Sequence, residues 1–184
     1  MLFPHLVNFN LQEWIDANKD DWAKRKLVRR LLWENSDYLV FVTSGDTIGE
    51  LFHINPGDEI FHQLHGELHF YYITPDGDRK LMVVRPGEMF LLPANVPHAP
   101  KRPSPPCWTM VIERKRRPEE VDRFAWFCER CNHKVYEVIS KHGGPGDAVA
   151  DVVPPFVERG RRDLRSEKKL RTCIKCGEVM ILPN

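Results

Sequence analysis

The stretch of residues 53–66 reads HINPGDEIFHQLHG and places two short runs of alternating apolar and polar residues around a turn. The turn is Pro56-Gly57-Asp58, and these residue types favour turns, whereas the flanking runs alternate as β-strands do. His53 stands before the turn and Glu59 directly after it. Two interpretations are open at this point: a surface hairpin that carries some histidines, or two strands that bring metal ligands together.

The same pattern of strands and turns extends from Asp37 to about Arg114. Apolar residues alternate along each segment, and turn signals such as Pro75-Asp76-Gly77 recur at short intervals. No helical period of useful length interrupts the pattern. A mainly β fold, either a barrel or a sandwich, is therefore predicted.

Both ends of the chain differ from this central region. Residues 10–32 are predicted to be helical, because Asn10 and Glu13 form a capping-box pattern ahead of apolar residues. After residue 117 the alternation gives way to segments rich in cysteine, then glycine and proline, then basic residues. We therefore expect one domain over residues 1–117, which includes the N-terminal helix, and a smaller segment over residues 118–184.

Composition and charge narrow the function classes. The chain has 184 residues, 42% of them hydrophobic and 29% charged, which is typical of a globular domain with a sizeable core. The net charge of +1 gives no general attraction to nucleic acid or membrane. No signal peptide and no apolar run of about 20 residues is seen, so a cytoplasmic location is expected. The basic run of residues 159–171 suggests nucleic-acid binding, but Asp163 and Glu167 dilute its charge and favour a solvated helix face.

Four of the five cysteines form two C-x-x-C pairs, Cys128/Cys131 and Cys173/Cys176. In a cytosolic chain of this size, such pairs indicate a tetrathiolate metal site rather than a disulfide framework. Iron and zinc both bind four thiolates, and the spacing does not separate them. We expect this site to be structural. Cys107 is predicted to be a packed small apolar residue.

Two motifs with characteristic spacing lie within the region of predicted strands. The first is H-x-N-x₃-E-x₆-G, from His53 to Gly66, and the second is G-x₅-P-x-N-x₂-H, from Gly87 to His98. They resemble the two signature motifs of the cupin superfamily, a small double-stranded β-barrel. The resemblance covers roughly residues 38–114.

The resemblance implies a metal site with three protein ligands. The first cupin motif usually has a second histidine where this chain has Asn55, which leaves His53, Glu59 and His98. Two imidazoles and one carboxylate are the ligand set of the non-haem Fe(II) oxygenases, and this set leaves positions open for substrate and O₂. Three further histidines match no motif position, and at most one of them is expected to touch the site: His62, His65 and His69.

The segments EIFHQLHG, GEMFLLPANVPHAPKRP and VIERKRRP resemble 3-hydroxyanthranilate 3,4-dioxygenase. Bacterial members of that family carry a C-terminal rubredoxin-like piece with two C-x-x-C pairs, so the resemblance covers nearly the whole chain. It implies a ring-cleaving enzyme that uses O₂ to convert 3-hydroxyanthranilate to 2-amino-3-carboxymuconate semialdehyde, which cyclises to quinolinate on the way to NAD. A homodimer paired through barrel edges is an option that the resemblance leaves open.

The resemblance also assigns roles to individual residues. It places the catalytic iron on His53, Glu59 and His98. It places a substrate-binding arginine at Arg102, whose planar fork of donors suits a carboxylate. It places a substrate-contacting glutamate at Glu113, which is able to accept a hydrogen bond from an aromatic amine or hydroxyl, or to hold a proton during ring opening.

One position departs from the family pattern. The family has a further substrate- and O₂-binding arginine four residues before the first histidine, and this chain has Gly49 there. The nearest arginine upstream is Arg30, so the second carboxylate contact is either missing or supplied from elsewhere. Two alternatives therefore stay open: ring cleavage of another o-aminophenol or hydroxylated aromatic, and, more distantly, a non-oxidative metal-binding cupin.

Overall fold

The computed structural model describes residues 8–23, 27–33, 36–45, 51–140 and 155–182. Within these residues the chain forms two α-helices, eleven strands and one 3₁₀ turn, so the predicted mainly β class is confirmed. The elements in chain order are α1 (Leu11–Ala23), β1 (Leu27–Trp33), β2 (Tyr38–Gly45), β3 (Leu51–Ile54), β4 (Glu59–His65), β5 (Leu68–Ile73), β6 (Arg79–Val84), β7 (Met89–Leu92), β8 (His98–Lys101), β9 (Trp108–Arg114), β10 (Asp122–Phe127), β11 (Lys134–Ser140), α2 (Pro155–Ser166) and the 3₁₀ turn Lys168–Arg171.

The N-terminal helix begins where the sequence predicts but ends earlier. The backbone N–H of Glu13 donates to Oδ1 of Asn10 at 3.1 Å, as expected of an N-cap. The prediction of helix up to residue 32 is wrong, because residues 27–33 form β1, antiparallel to β2. Leucine and arginine are good helix formers. In this segment, pairing with β2 and the packing of Leu31 against the core outweigh that preference.

Two antiparallel sheets enclose the core. One has the strand order β1-β2-β9-β4-β7 and the other β11-β10-β3-β8-β5-β6. The apolar side chains between them form one cluster of eight buried residues: Leu39, Phe41, Phe61, Leu68, Phe70, Val84, Leu92 and Val111. This double-sheet arrangement agrees with the predicted cupin barrel.

The turn after residue 54 connects the two sheets. β3 belongs to the six-stranded sheet and β4 to the five-stranded sheet, so the segment His53–Glu59 is no hairpin. Asn55 stabilises the turn, since its Oδ1 accepts a hydrogen bond from the N–H of Gly57 at 2.8 Å. The turn therefore places His53 and Glu59 on facing walls of the barrel.

Gly66 closes the first motif at a position that requires glycine. Its φ is +71°, in the left-handed region that residues with a Cβ adopt rarely. A Cβ there would also lie 2.6 Å from the carbonyl oxygen of Pro106. The last position of the motif is thus fixed by backbone geometry.

The segment after residue 117 begins within the barrel sheet. β10 pairs with β3 on one side and with β11 on the other. α2 packs onto these strands through Val157 and Leu164. Gly160 lies so close to Trp126 that a side chain at this position would not fit. The predicted division at residue 117 stays a prediction.

The basic run predicted to be a solvated helix face lies largely on α2, where Arg159, Arg162 and Arg165 are exposed. In the part of the chain that the structure describes, no helix is long and apolar enough to cross a membrane.

Candidate metal centres and active site

Strand pairing brings the three predicted barrel ligands together. His53 on β3 is the direct partner of His98 on β8, and Glu59 on β4 faces them from the other sheet. One nitrogen of each imidazole and one carboxylate oxygen lie within 4.8 Å of one another. Each imidazole also stacks on a phenylalanine, His53 on Phe124 with ring centroids 4.8 Å apart and His98 on Phe70 at 5.4 Å. The rings are therefore held in place by the core.

The hydrogen bond of His98 decides which of its nitrogens faces Glu59. Nδ1 lies 3.0 Å from the carbonyl oxygen of Val96, which only accepts hydrogen bonds, so Nδ1 carries the proton. Nε2 lies 3.2 Å from Oε2 of Glu59. Burial acts to lower the pKa of His98, but attraction to the Glu59 carboxylate outweighs it and raises this pKa. A cation, whether a proton or a metal ion, is thus favoured between these two groups.

Asp122 fixes His53 in the same way. Nε2 of His53 lies 2.6 Å from Oδ1 of Asp122, so this nitrogen donates and Nδ1 is left as the acceptor. Nδ1 lies 3.9 Å from Oε1 of Glu59. Arg116 holds Asp122 through two hydrogen bonds, of 2.7 and 2.8 Å. A carboxylate behind a histidine orients the ring and increases its basicity, as is usual for histidines that bind metals.

One carboxylate oxygen of Glu59 accepts no hydrogen bond from the described residues when the nearby Nε2 of His98 carries no proton. Oε1 accepts a hydrogen bond from Nδ2 of Asn55, whereas Oε2 is buried and has no hydrogen-bond partner among the described residues. Burial acts to raise the pKa of Glu59, but the imidazoles of His98 and His53 outweigh it and lower this pKa. An ionised, buried carboxylate beside two imidazole lone pairs fits a divalent metal ion.

Glu113 lies next to this site, opposite Glu59 in the pairing of β4 with β9. Its Oε1 accepts from Nη2 of Arg29 at 3.1 Å, and its Oε2 accepts from Asn55 at 2.6 Å and from Arg116 at 3.2 Å. Burial, and then repulsion by Glu59, raise the pKa of Glu113 to about 7. The carboxyl group is thus poised to hold or release a proton near neutral pH.

The site opens into a small pocket with a volume of about 170 Å³. An apolar cavity of about 150 Å³ accommodates benzene, so this pocket has the size of one aromatic ring. Arg102, which follows β8, is buried in its wall, and its Nη2 lies 3.5 Å from Oγ1 of Thr109. The lining is Arg29, Phe41, Thr43, Leu51, His53, Glu59, Phe61, His98, Pro100, Arg102, Val111, Glu113 and Phe124.

The remaining predicted side chains fall outside the barrel centre. None of His62, His65 and His69 lines the pocket, in agreement with the expectation of at most one contact. Cys107 is buried, as predicted, and Nε2 of Gln63 approaches its sulfur to 3.1 Å. Gly49, where the sequence departs from the family pattern, lies outside the described residues.

The four paired cysteines meet at a second site. Sγ of Cys128 lies 3.6 Å from Sγ of Cys176, and Sγ of Cys131 lies 3.5 Å from Sγ of Cys173. All four sulfur atoms lie within 4.8 Å of one another, and none is in a disulfide. The geometry fits a tetrathiolate metal ion.

The two C-x-x-C segments have the same backbone conformation. Asn132 donates to the carbonyl of Cys128 and Gly177 to that of Cys173, both at 2.9 Å, and both donors have positive φ, +56° and +76°. Burial acts to raise the pKa of Cys173, but nearby backbone N–H groups lower it to about 7. A thiol ionised near neutral pH is suited to metal binding.

Three residues at the barrel centre were not predicted. Asp122 and Arg116 form the charged network behind His53, and Arg29 extends from β1 to Glu113. For Asp122 and Arg116 the sequence carries no local signal, since only the pairing of β10 with β3 reveals their place. Arg29 was concealed by the wrong helix prediction. In a strand, alternation with Leu31 would have placed it on the inner face.

A cupin barrel with two histidines and one glutamate at its centre defines the class of protein, a cupin with a candidate metal site. The sequence model of the family 3-hydroxyanthranilic acid dioxygenase matches residues 4–159. The chain therefore belongs to this family. Among solved structures, a cupin-2 domain protein from Shewanella frigidimarina is 22% identical with a TM-score of 0.41, covering 58% of this chain and all of that one.

Curated bacterial relatives match almost the whole chain. A 3-hydroxyanthranilate 3,4-dioxygenase from Bacillus cereus is 35% identical over 95% of this chain and 92% of its own length. Enzymes of the same name from Paraburkholderia phytofirmans and Xanthomonas campestris are 35% and 32% identical, over 93% and 100% of this chain and 92% and 96% of their own. The predicted family is thus confirmed.

Proposed function

We propose that this protein uses O₂ to open the ring of 3-hydroxyanthranilate between the hydroxyl-bearing carbon and its unsubstituted neighbour, giving 2-amino-3-carboxymuconate semialdehyde. The observation that carries the proposal is the convergence of His53, Glu59 and His98 at the wall of a pocket sized for one ring, in a chain of this family. The relatives named for this activity support it over another o-aminophenol.

The barrel ligands are proposed to hold Fe(II), and the four cysteines iron or zinc. Nitrogen and carboxylate donors suit a transition metal, whereas Mg²⁺ and Ca²⁺ favour all-oxygen sites. Bound Fe(II) supplies the electron transfer between ring and O₂ that the spin-paired ring cannot carry out directly. The cysteine cluster has no required part in this reaction, because ring cleavage places both oxygen atoms in the product and needs no external electrons.

Protein side chains position the substrate. Arg102 is proposed to bind its carboxylate, since a guanidinium pairs with both carboxylate oxygens in one plane. Glu113 is proposed to accept a hydrogen bond from the aromatic amine and to hold a proton during ring opening. Phe41, Phe61 and Phe124 supply apolar surface in the lining, against which the ring is proposed to pack.

The test is oxygen consumption by iron-loaded protein with 3-hydroxyanthranilate, measured with an oxygen electrode together with the mass of the product. We expect one O₂ per substrate and both atoms of ¹⁸O₂ in the product. Protein carrying zinc in the barrel serves as the control and should consume no O₂. Binding of 3-hydroxyanthranilate without O₂ uptake would refute the proposal and favour a non-oxidative cupin.

A further inference from the structure

Arg29 is a largely buried cation that has no role in the proposed reaction. Its side chain runs from β1 across the ring of Phe41, with Cζ 3.5 Å from the ring centroid, and ends at Glu113. Nη2 donates to Glu113, whereas Nη1 is buried and has no hydrogen-bond partner among the described residues. Leaving a charged donor buried without a partner is costly. Because Arg29 lines the pocket, a ligand atom is able to satisfy this donor.

The position of Arg29 separates it from Arg102. Arg29 ends at Glu113, whereas Arg102 ends near Thr109. Glu113 and Thr109 are four residues apart on β9, which is about 13 Å along the strand. The two guanidinium groups are therefore held by partners that are well separated along β9, and we assign them to different substituents of the ligand. In this assignment Arg29 is not the replacement for the arginine that the family pattern has at the position of Gly49.

The chemistry of the Arg29–Glu113 pair identifies the group that each would bind. A guanidinium only donates hydrogen bonds, and an ionised carboxylate only accepts them. On an o-aminophenol ring, the hydroxyl oxygen is able to accept a hydrogen bond and the neighbouring amine is able to donate one. The protein thus offers an adjacent donor and acceptor that match the adjacent oxygen and amine of the ligand.

We propose that Arg29 is a substrate-binding residue that donates from Nη1 to the hydroxyl oxygen of the aromatic ligand, beside Glu113, while Arg102 binds the carboxylate. This inference rests on the proposed function and adds the orientation of the ring. The order of the substituents agrees with it, because the amine of 3-hydroxyanthranilate lies between the carboxylate and the hydroxyl group. Glu113 would then face the amine.

The test compares 3-hydroxyanthranilate with two ligands that each lack one of its substituents: 2-aminobenzoate, which lacks the hydroxyl group, and 2-aminophenol, which lacks the carboxylate. Their affinities for the iron-loaded protein are measured by calorimetry without O₂. In Arg29→Gln, the affinity gained from the hydroxyl group should fall by about 10- to 150-fold, the effect of one charge-assisted hydrogen bond. Binding of 2-aminobenzoate should change little. Arg102→Gln should instead remove the gain from the carboxylate.

Matched variants separate binding from structure. Arg30→Gln is the control, since Arg30 is next in sequence but does not line the pocket. Arg29→Lys, which keeps the charge, should recover part of the lost affinity. The iron content and the unfolding midpoint of each variant are measured as well. A decrease in either quantity in Arg29→Gln would indicate that Arg29 has a structural role.

Two results would overturn the inference: an equal loss for all three ligands in Arg29→Gln, which indicates a structural role, or a loss that follows the carboxylate. If the natural protein binds none of the three ligands, the proposed function fails as well.

Discussion

The barrel centre and the four-cysteine cluster are both suited to a metal ion, but the fold builds them differently. In the barrel, His53 and His98 are paired across two strands. Asp122 fixes the ring of His53, and the carbonyl group of Val96 fixes that of His98. The cysteines instead lie on two tight turns. Among the described residues around the second turn, regular structure consists of the 3₁₀ turn Lys168–Arg171 and the bridge between Thr172 and Val179.

This difference predicts different dependence on metal. The proposed barrel ligands stand on strands that pack on an apolar core, so we expect this site to be formed before an ion binds. The turn that carries Cys173 and Cys176 meets the core only through flanking residues such as Leu170 and Met180, so we expect it to obtain much of its order from a metal ion. Removal of the barrel metal should therefore abolish activity without unfolding the barrel. Removal of the metal at the cysteine site should loosen that segment and leave the activity of the barrel intact.

The largest expected effect is the loss of a barrel ligand. In Glu59→Ala, two imidazoles remain without the anionic ligand, so iron per chain should decrease and O₂ uptake should fall to the background rate. The unfolding midpoint should stay near that of the metal-free natural protein. His62→Ala is the control, since it lies on the same strand but outside the pocket lining. Full turnover by Glu59→Ala would disprove the ligand assignment.

The next effect concerns the cysteine cluster. Cys176→Ser should release the metal of this site and increase the hydrogen exchange of residues 168–182, because structural zinc contributes about 10–16 kcal/mol to the folding of small metal-dependent domains. Turnover per barrel iron should keep its natural value. Lys175→Ser, an exposed change in the same turn, should alter neither quantity. A loss of turnover per barrel iron with the barrel intact would mean that the cluster takes part in catalysis.

A smaller effect is expected behind the barrel ligands. Asp122→Asn keeps the size of the side chain but removes the charge that orients His53 and pairs with Arg116. Changes to such partners typically reduce metal affinity or activity about 10- to 100-fold. Competition for iron with a chelator of known affinity measures the shift. An unchanged iron affinity would mean that β3 and the stacking on Phe124 hold His53 without help.

The same contrast explains which parts of the site the sequence reveals. His53 and Glu59 flank one turn, and the cysteines of each pair are three residues apart, so local spacing predicts them. Asp122 lies 69 residues from His53 and reaches it only through the pairing of β10 with β3, which no local pattern encodes. Arg29 was missed because the helix preference of its segment gave way to pairing with β2.

The smallest effect tests an ion pair that belongs to neither metal site. Arg114, at the end of β9, binds the carboxylate of Glu120 through both guanidinium Nη atoms. The hydrogen bonds from Arg114 lower the pKa of Glu120 to about 2, from a usual value of 4.5. Because the folded-state pKa is lowered, the pair stabilises the fold fully above pH 4.5 and loses its effect as the pH falls through about 2.

Glu120→Gln should therefore reduce the free energy of unfolding at neutral pH by about 0.2–1 kcal/mol, the usual range for a partly exposed ion pair. The difference between the natural protein and the variant should shrink as the pH falls from 4.5 toward 2. Urea unfolding of metal-free protein across this range measures it, with Glu119→Gln as the neighbouring control. A difference that does not change with pH would mean that the charge of Glu120 is not what stabilises this end of the barrel. A difference that shrinks with pH in metal-free protein would show that the Arg114–Glu120 pair stabilises this end of the barrel without a metal ion. The cysteine segment is expected to need its metal ion instead.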